Sequence, residues 1–191
     1  MEAAAPTPAG VAGVEDGPPA EAIAAVFPGA GATAAEVEQE GAGKPMKPKE
    51  FLAGIDEAAV VKAIGEAERA TSGEIRVYIS HSTRQDPMLY AQKRFKKLGM
   101  EKTRDRNAVL IYLVPLTRKF AIIGDTAVHA KCGERFWKEA CEEFTQTAHS
   151  QSMTEAIVKT VGKIGSLLSE HFPCQPGDQN ELPDGIEHSK E

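Results

Sequence analysis

The sequence predicts an α/β fold: a three-layer α/β/α sandwich on a small mixed β-sheet, with disordered N- and C-terminal tails. Three observations carry that prediction. Residues Glu74–Ser80 alternate polar and apolar side chains with a period of two, as a strand with a buried face does. Residues Ala108–Val114 are continuously apolar, as a strand covered on both faces is. Between and around them lie segments with apolar residues at helical spacing.

The elements follow in order. Residues 1–47 are rich in Ala, Gly and Pro, with seven acids in 1–43 and neither Lys nor Arg there. Too few large apolar side chains occur to build a core, so this stretch reads as a disordered acidic leader. A short helix around Ala20–Phe27 is the one local structure it suggests. The folded domain is expected over 48–173, with a fourth short strand possible within 44–55. Val60, Ile64 and Ala67 form a helical stripe, and Asp56 is placed to cap that helix. Thr71-Ser72-Gly73 ends it, and the alternating strand follows. Asp86-Pro87 marks a turn, Met88–Leu98 a helix, and Gly99 its stop.

The strand Ala108–Val114 is followed by a turn at Pro115–Arg118 and the strand Phe120–Ile123. So short a connection requires antiparallel pairing. By contrast, the helix between Ser80 and Ala108 makes a βαβ crossover, so those two strands are expected to run parallel. Glu134–Thr147 is amphipathic, with Phe136, Trp137, Ala140, Cys141 and Phe144 inward. A last helix begins at Ser152 or Thr154 and stops at Pro173. Residues 174–191 are a flexible acidic tail.

The formal charge is -6, but the acids concentrate at the ends. Without 1–43 the charge is about +1, and residues 44–172 alone carry about +5. Such a surface is ordinary, and no basic arm or aromatic-basic stripe marks a nucleic-acid binder. No apolar run reaches the roughly 18 residues of a membrane span, and no secretory signal pattern is visible. The three cysteines form no CxxC pair and read as thiols of a reducing compartment. The expectation is therefore a cytoplasmic protein without a membrane span. Neither GxGxxG nor GxxxxGK[ST] occurs, and the histidines show no HxxxH or HExxH spacing. Nucleotide loops and zinc-peptidase helices are thereby excluded.

One constellation remains. If Val114 pairs with Lys119, Asp125 lies opposite Ala108, and Asp105, Arg106 and Asn107 approach the same strand end. Glu74 enters there too if its strand is parallel. Glu74, Asp105 and Asp125 are thus candidate ligands for Ca²⁺ or Mg²⁺, which prefer carboxylate and carbonyl oxygens. Asn107, Arg104, Arg106, Gly124 and His129 are candidate pocket residues around them. Arg104 and Arg106 flank Asp105 and suit either a phosphate or a surface ion pair. Asp125 has the simpler alternative of capping the next helix. No nucleophile with an adjacent base is evident, so the residues leave enzyme and binding module both open.

Several segments resemble the TPM domain family. These are Thr71-Ser72-Gly73-Glu74-Ile75-Arg76-Val77, the run Asp105-Arg106-Asn107-Ala108-Val109-Leu110-Ile111-Tyr112, and Phe120-Ala121-Ile122-Ile123-Gly124-Asp125. Trp137 after Gly-Glu-Arg-Phe and the closing Leu-Leu-Ser-Glu-His-Phe-Pro are similar too. The likeness spans about 50–175 and is greatest to a short soluble bacterial branch with a tail like Asn180-Glu181-Leu182-Pro183. It implies an α/β/α sandwich with an acidic, divalent-cation-binding pocket at a sheet edge, matched here by Asp105, Asp125 and Glu74. Ala108 and Ala127 stand where the family commonly has Gly. Members include thylakoid-lumen proteins of photosystem II repair, some described as acid phosphatases, and receptor-modulating animal membrane proteins. The implied function is a cation-binding interaction or quality-control module with an unknown protein partner, one route to which is the acidic leader. The alternative is a weak metal-dependent acid phosphomonoesterase.

Overall fold

The computed structural model describes residues 22–26, 46–81, 86–177, 180–182 and 185–188. Its centre is the predicted trio of strands: β2 (Ile75–Ile79), β3 (Val109–Val114) and β4 (Lys119–Gly124). β2 and β3 are parallel, with Ile75 beside Val109 and Ile79 beside Leu113. β3 and β4 form the antiparallel hairpin, with Val114 opposite Lys119 as the short turn requires. Arg118 turns the corner in the left-handed region, at φ 55°.

Two terminal strands complete a sheet of order β1-β4-β3-β2-β5. β1 (Ala22–Val26) pairs antiparallel with β4, and β5 (Ile186–His188) pairs parallel with β2. Both lie in stretches expected to be unstructured. Ala22–Val26 is a strand where a short helix was the local expectation. The rest of the expectation over 1–45 lies outside the described residues. The fourth strand sought in 44–55 is instead a short helix, α1 (Pro48–Ala53), with Pro at its first turn.

The remaining helices form for the anticipated reasons. Asp56 caps α2 (Glu57–Glu68), its carboxylate accepting from Ala59 N–H at 3.0 Å. Asp86 does the same for α3 (Pro87–Lys97) through Leu89 N–H at 3.1 Å. Gly99, at φ 73°, lets the chain leave α3 into a single 3₁₀ turn at Met100–Lys102. α4 (Thr126–Ser150) starts eight residues before the expected Glu134, because Asp125 caps a first stretch. Its two stretches meet at Gly133, whose φ of 65° breaks the helix. Ser152 caps α5 (Met153–His171), its Oγ accepting from Glu155 N–H at 3.1 Å and donating to Glu155 Oε2 at 2.9 Å.

Three layers result. Val77, Ile79, Ile111, Leu113, Phe120 and Ile122 face a core built with α1, α2, α4 and α5. Tyr78, Leu110, Tyr112, Ala121 and Ile123 face a smaller core under α3. The alternation within each strand sends neighbouring side chains to opposite layers. Every residue of β3 is buried, which explains its unbroken apolar run.

Candidate functional site at the strand ends

The end of the sheet where β2 and β3 begin and β4 finishes brings the predicted residues into one neighbourhood. Val109 N–H donates to Glu74 O at 2.7 Å, and Asp125 N–H donates to Ala108 O at 2.8 Å. The backbones of Glu74, Ala108 and Asp125 thus lie side by side, as the register argument requires. Their side chains do not converge.

Asp125 is 1 % exposed. Arg106 grips both its oxygens, Nε to Oδ2 at 2.7 Å and Nη2 to Oδ1 at 2.8 Å. Oδ1 also accepts from Thr126 N–H at 2.7 Å, at the start of α4. This carboxylate is therefore both helix cap and buried half of a bidentate ion pair. The pairing raises the Arg106 pKa further above its ordinary value. Arg106 reaches it from a left-handed backbone, φ 51°, which a non-glycine residue adopts at a cost.

Asp105 faces the other way. Its carboxylate takes Arg104 Nη2 at 2.8 Å and Nε at 3.2 and 3.3 Å. Both side chains are exposed, 39 % for Asp105 and 62 % for Arg104, so little free energy holds this pair. The hydrogen bond from Arg104 is the main reason the Asp105 pKa lies below the usual carboxylate value. Ser72 Oγ also donates to Asp105 Oδ2 at a long 3.4 Å, and Asn107 Nδ2 donates to Ser72 Oγ at 3.1 Å. Asn107 is 1 % exposed, and its Oδ1 is buried with no hydrogen-bond partner among the described residues. A buried carbonyl oxygen left in that state costs on the order of 1–3 kcal/mol.

Glu74 is buried rather than paired in solvent, and its Oε1 accepts from Glu181 N–H at 2.8 Å. It is thereby tied to the C-terminal segment rather than to Asp105 or Asp125. Gly124 serves packing: a Cβ there would fall 2.5 Å from the Trp137 indole. His129 Nδ1 accepts from Trp137 Nε1 at 3.2 Å. Among the described residues no group of three His, Cys, Asp or Glu side chains is arranged to hold a metal ion. What the edge does assemble is an oxygen-bearing trio, Ser72, Asp105 and Asn107. Ser72 was not singled out from sequence. Its signal was position alone, in a Thr-Ser-Gly turn directly before a strand.

The cysteines form no disulfide: Cys141 is buried, Cys132 half-buried and Cys174 exposed. Burial pushes the Cys141 thiol up to about 12 and Cys132 to about 11, so neither is a thiolate nucleophile near neutrality. Among the described residues, no helix is long and apolar enough to cross a membrane.

The TPM domain model matches residues 46–167. The chain is also similar to the BA42 protein of the psychrophilic bacterium Bizionia argentinensis, solved by NMR. That likeness has 32% sequence identity and a TM-score of 0.65, and covers 70% of this chain and 92% of BA42. No curated protein matches the chain.

Proposed function

This chain belongs to the TPM domain family, and from that premise we propose that it is a divalent-cation-binding interaction module that takes Ca²⁺ or Mg²⁺ beside Ser72, Asp105 and Asn107. The observation that carries the reading is Asn107 Oδ1, a buried oxygen without a hydrogen-bond partner among the described residues. It belongs to a network that already includes a carboxylate and a hydroxyl. Hard cations select such oxygens. Asp105 is ionised at neutral pH, its pKa held down by Arg104. Arg104 is an exposed partner that an ion displaces at small cost. Asp125 and Glu74 are committed to Arg106 and to the Glu181 backbone, so they support the loop in preference to ligating first.

An amide NMR titration of the full chain with CaCl₂, then MgCl₂, tests this. Shifts should cluster on Ser72–Glu74 and Asp105–Asn107 and vanish in Asp105→Asn. At 100 times Kd the melting transition should gain about 2.7 kcal/mol by mass action. A flat titration with both ions removes the reading. A weak acid phosphomonoesterase is the second reading, favoured by Arg104 and Arg106 on either side of Asp105. A guanidinium released from its carboxylate grips a phosphoryl group in the same bidentate way. Metal-dependent turnover lost in a folded Asp105→Asn variant would select it, whereas equal residual rates would point to contamination.

A further inference from the structure

The outer edge of β2 is closed by the chain's own C-terminal segment, and that closure buries a charge. β5 contributes three residues, with Ile186 beside Val77, Glu187 beside Tyr78 and His188 beside Ile79. Ile186 packs against the larger core. On the opposite face Glu187 forms an ion pair with Arg76. The Arg76 side chain is 3 % exposed, whereas Glu187 is 37 % exposed. A guanidinium this buried requires a carboxylate partner, and here it comes from a strand of minimal length beyond the end of α5. The Nε of Arg76 has no hydrogen-bond partner among the described residues. The fork is therefore only half used, although a carboxylate can bridge both sides of it. Nearer α5, Leu182 touches the smaller core and Glu181 N–H caps Glu74. The described residues of the segment thus meet the domain at Glu181, Leu182 and Ile186–His188.

An unpaired strand edge is a template for an added strand, and proteins use this to bind extended peptides. We propose that the β2 edge is a docking groove for an extended acidic peptide of a partner protein, and that Ile186–His188 fill it in cis as a displaceable substitute. The geometry specifies the partner's pattern. Its backbone runs parallel to β2, an aliphatic residue sits beside Val77, and an Asp or Glu sits beside Tyr78 to meet Arg76. Charge complementarity with a buried arginine selects an acidic strand over a neutral or basic one. The same segment reaches the strand-end loop, where Glu181 N–H donates to Glu74 Oε1 at 2.8 Å and Glu181 Oε1 accepts from Arg104 N–H at 3.4 Å, but the contact under test is that of Glu187 with Arg76 and needs no cation.

The test uses the full chain and a fluorescent peptide with the sequence of residues 180–191, read by anisotropy. In the wild-type chain the cis segment competes, so apparent affinity is lowered by the fraction of time the groove is open. Glu187→Lys in the chain sets a cation against Arg76 and should open the groove. Peptide affinity should rise about tenfold or more, with amide shifts at Val77–Ser80. Glu187→Gln, the milder variant, should fall between. Adding Arg76→Met to Glu187→Lys, or placing Gln in the peptide at the position of Glu187, should remove the gain. The proposal is overturned if a folded Glu187→Lys chain binds no tighter than wild type, or if Gln at the Glu187 position of the peptide binds as well as Glu. It is also overturned if the wild type forms concentration-dependent dimers and takes up no peptide, because the segment is then exchanged between copies.

Discussion

The face of the sheet beneath α2, α4 and α5 and the face beneath α3 are built to different rules. On the first, strand residues such as Val77, Ile111 and Phe120 belong to a large cluster of aliphatic and aromatic side chains. On the second, Tyr78 and Tyr112 stack with ring centroids 5.6 Å apart, and Arg94 lies 4.2 Å over the Tyr78 ring. Tyr112 Oη there donates to Ser80 Oγ at 2.8 Å, inside the protein. Arg76 shares strand parity with Tyr78 and so belongs to this side. The apolar face gains its free energy from area removed from water, which is non-directional. The other depends on polar groups that must each meet a partner, which fixes geometry but leaves little net stability. Non-directional burial and directional polar contacts are thus divided between the two faces.

The largest expected effect breaks the first face. Phe144 is fully buried, with its ring 4.3 Å from that of Phe120. Phe144→Ala removes the ring and leaves a cavity that α4 and β4 cannot wholly close, at a cost of about 3–5 kcal/mol in urea unfolding. A loss near that of a surface substitution would mean that this face is loosely packed and that the contrast between faces is wrong.

A smaller effect is expected on the second face. Tyr112→Phe keeps the stack and deletes one buried hydrogen bond, costing about 1 kcal/mol. It also has a pH signature. Burial is the main reason the Tyr112 pKa lies above its ordinary value. A raised folded pKa means stability is fully present below the unfolded value, near 10, and is lost as pH rises through the folded one. The Cys141 and Cys132 thiols act in the same sense, from the ordinary thiol value of about 9 up to about 12 and about 11. Urea midpoints measured upward from pH 9 should fall in wild type and fall less steeply in Tyr112→Phe. Identical slopes would assign the alkaline loss to the buried thiols and leave the tyrosine pair as simple packing.

The two faces also differ in how they read from sequence. The apolar strands announce themselves by period and composition, so the βαβ crossover, the hairpin and its Val114–Lys119 register were all legible. The backbone meeting of Asp125 with Ala108 followed from that register alone. The capping residues Asp56 and Ser152 were equally visible, because a cap is a local interaction. The terminal strands were not. Ala22–Val26 is alanine-rich and Ile186–His188 is three residues long, and each is a strand because a sheet edge pairs with it. Side-chain direction at the site was likewise hidden. Arg106 reaches Asp125 because its backbone turns left-handed, and nothing in Arg-Asp-Arg-Asn states which arginine takes which carboxylate. The burial of Glu74 depends on a segment more than a hundred residues later.

The smallest effect is expected off both faces, at Asp105. Its lowered pKa contributes stability above the unfolded value, near 3.8, and loses it as pH falls through the lower folded value. The window therefore lies below about pH 4. Exposure of both partners limits the size, and Asp105→Asn should shift stability at pH 7 by no more than about 0.5 kcal/mol. That near-neutrality is what a cation ligand requires, since an oxygen held by a strong structural bond is not free to change partners. An Asp105→Asn loss approaching that of Phe144→Ala would make the Arg104 pair structural. The division of labour between the apolar face and the strand-end loop would then fail at the residue on which the proposed cation site depends most.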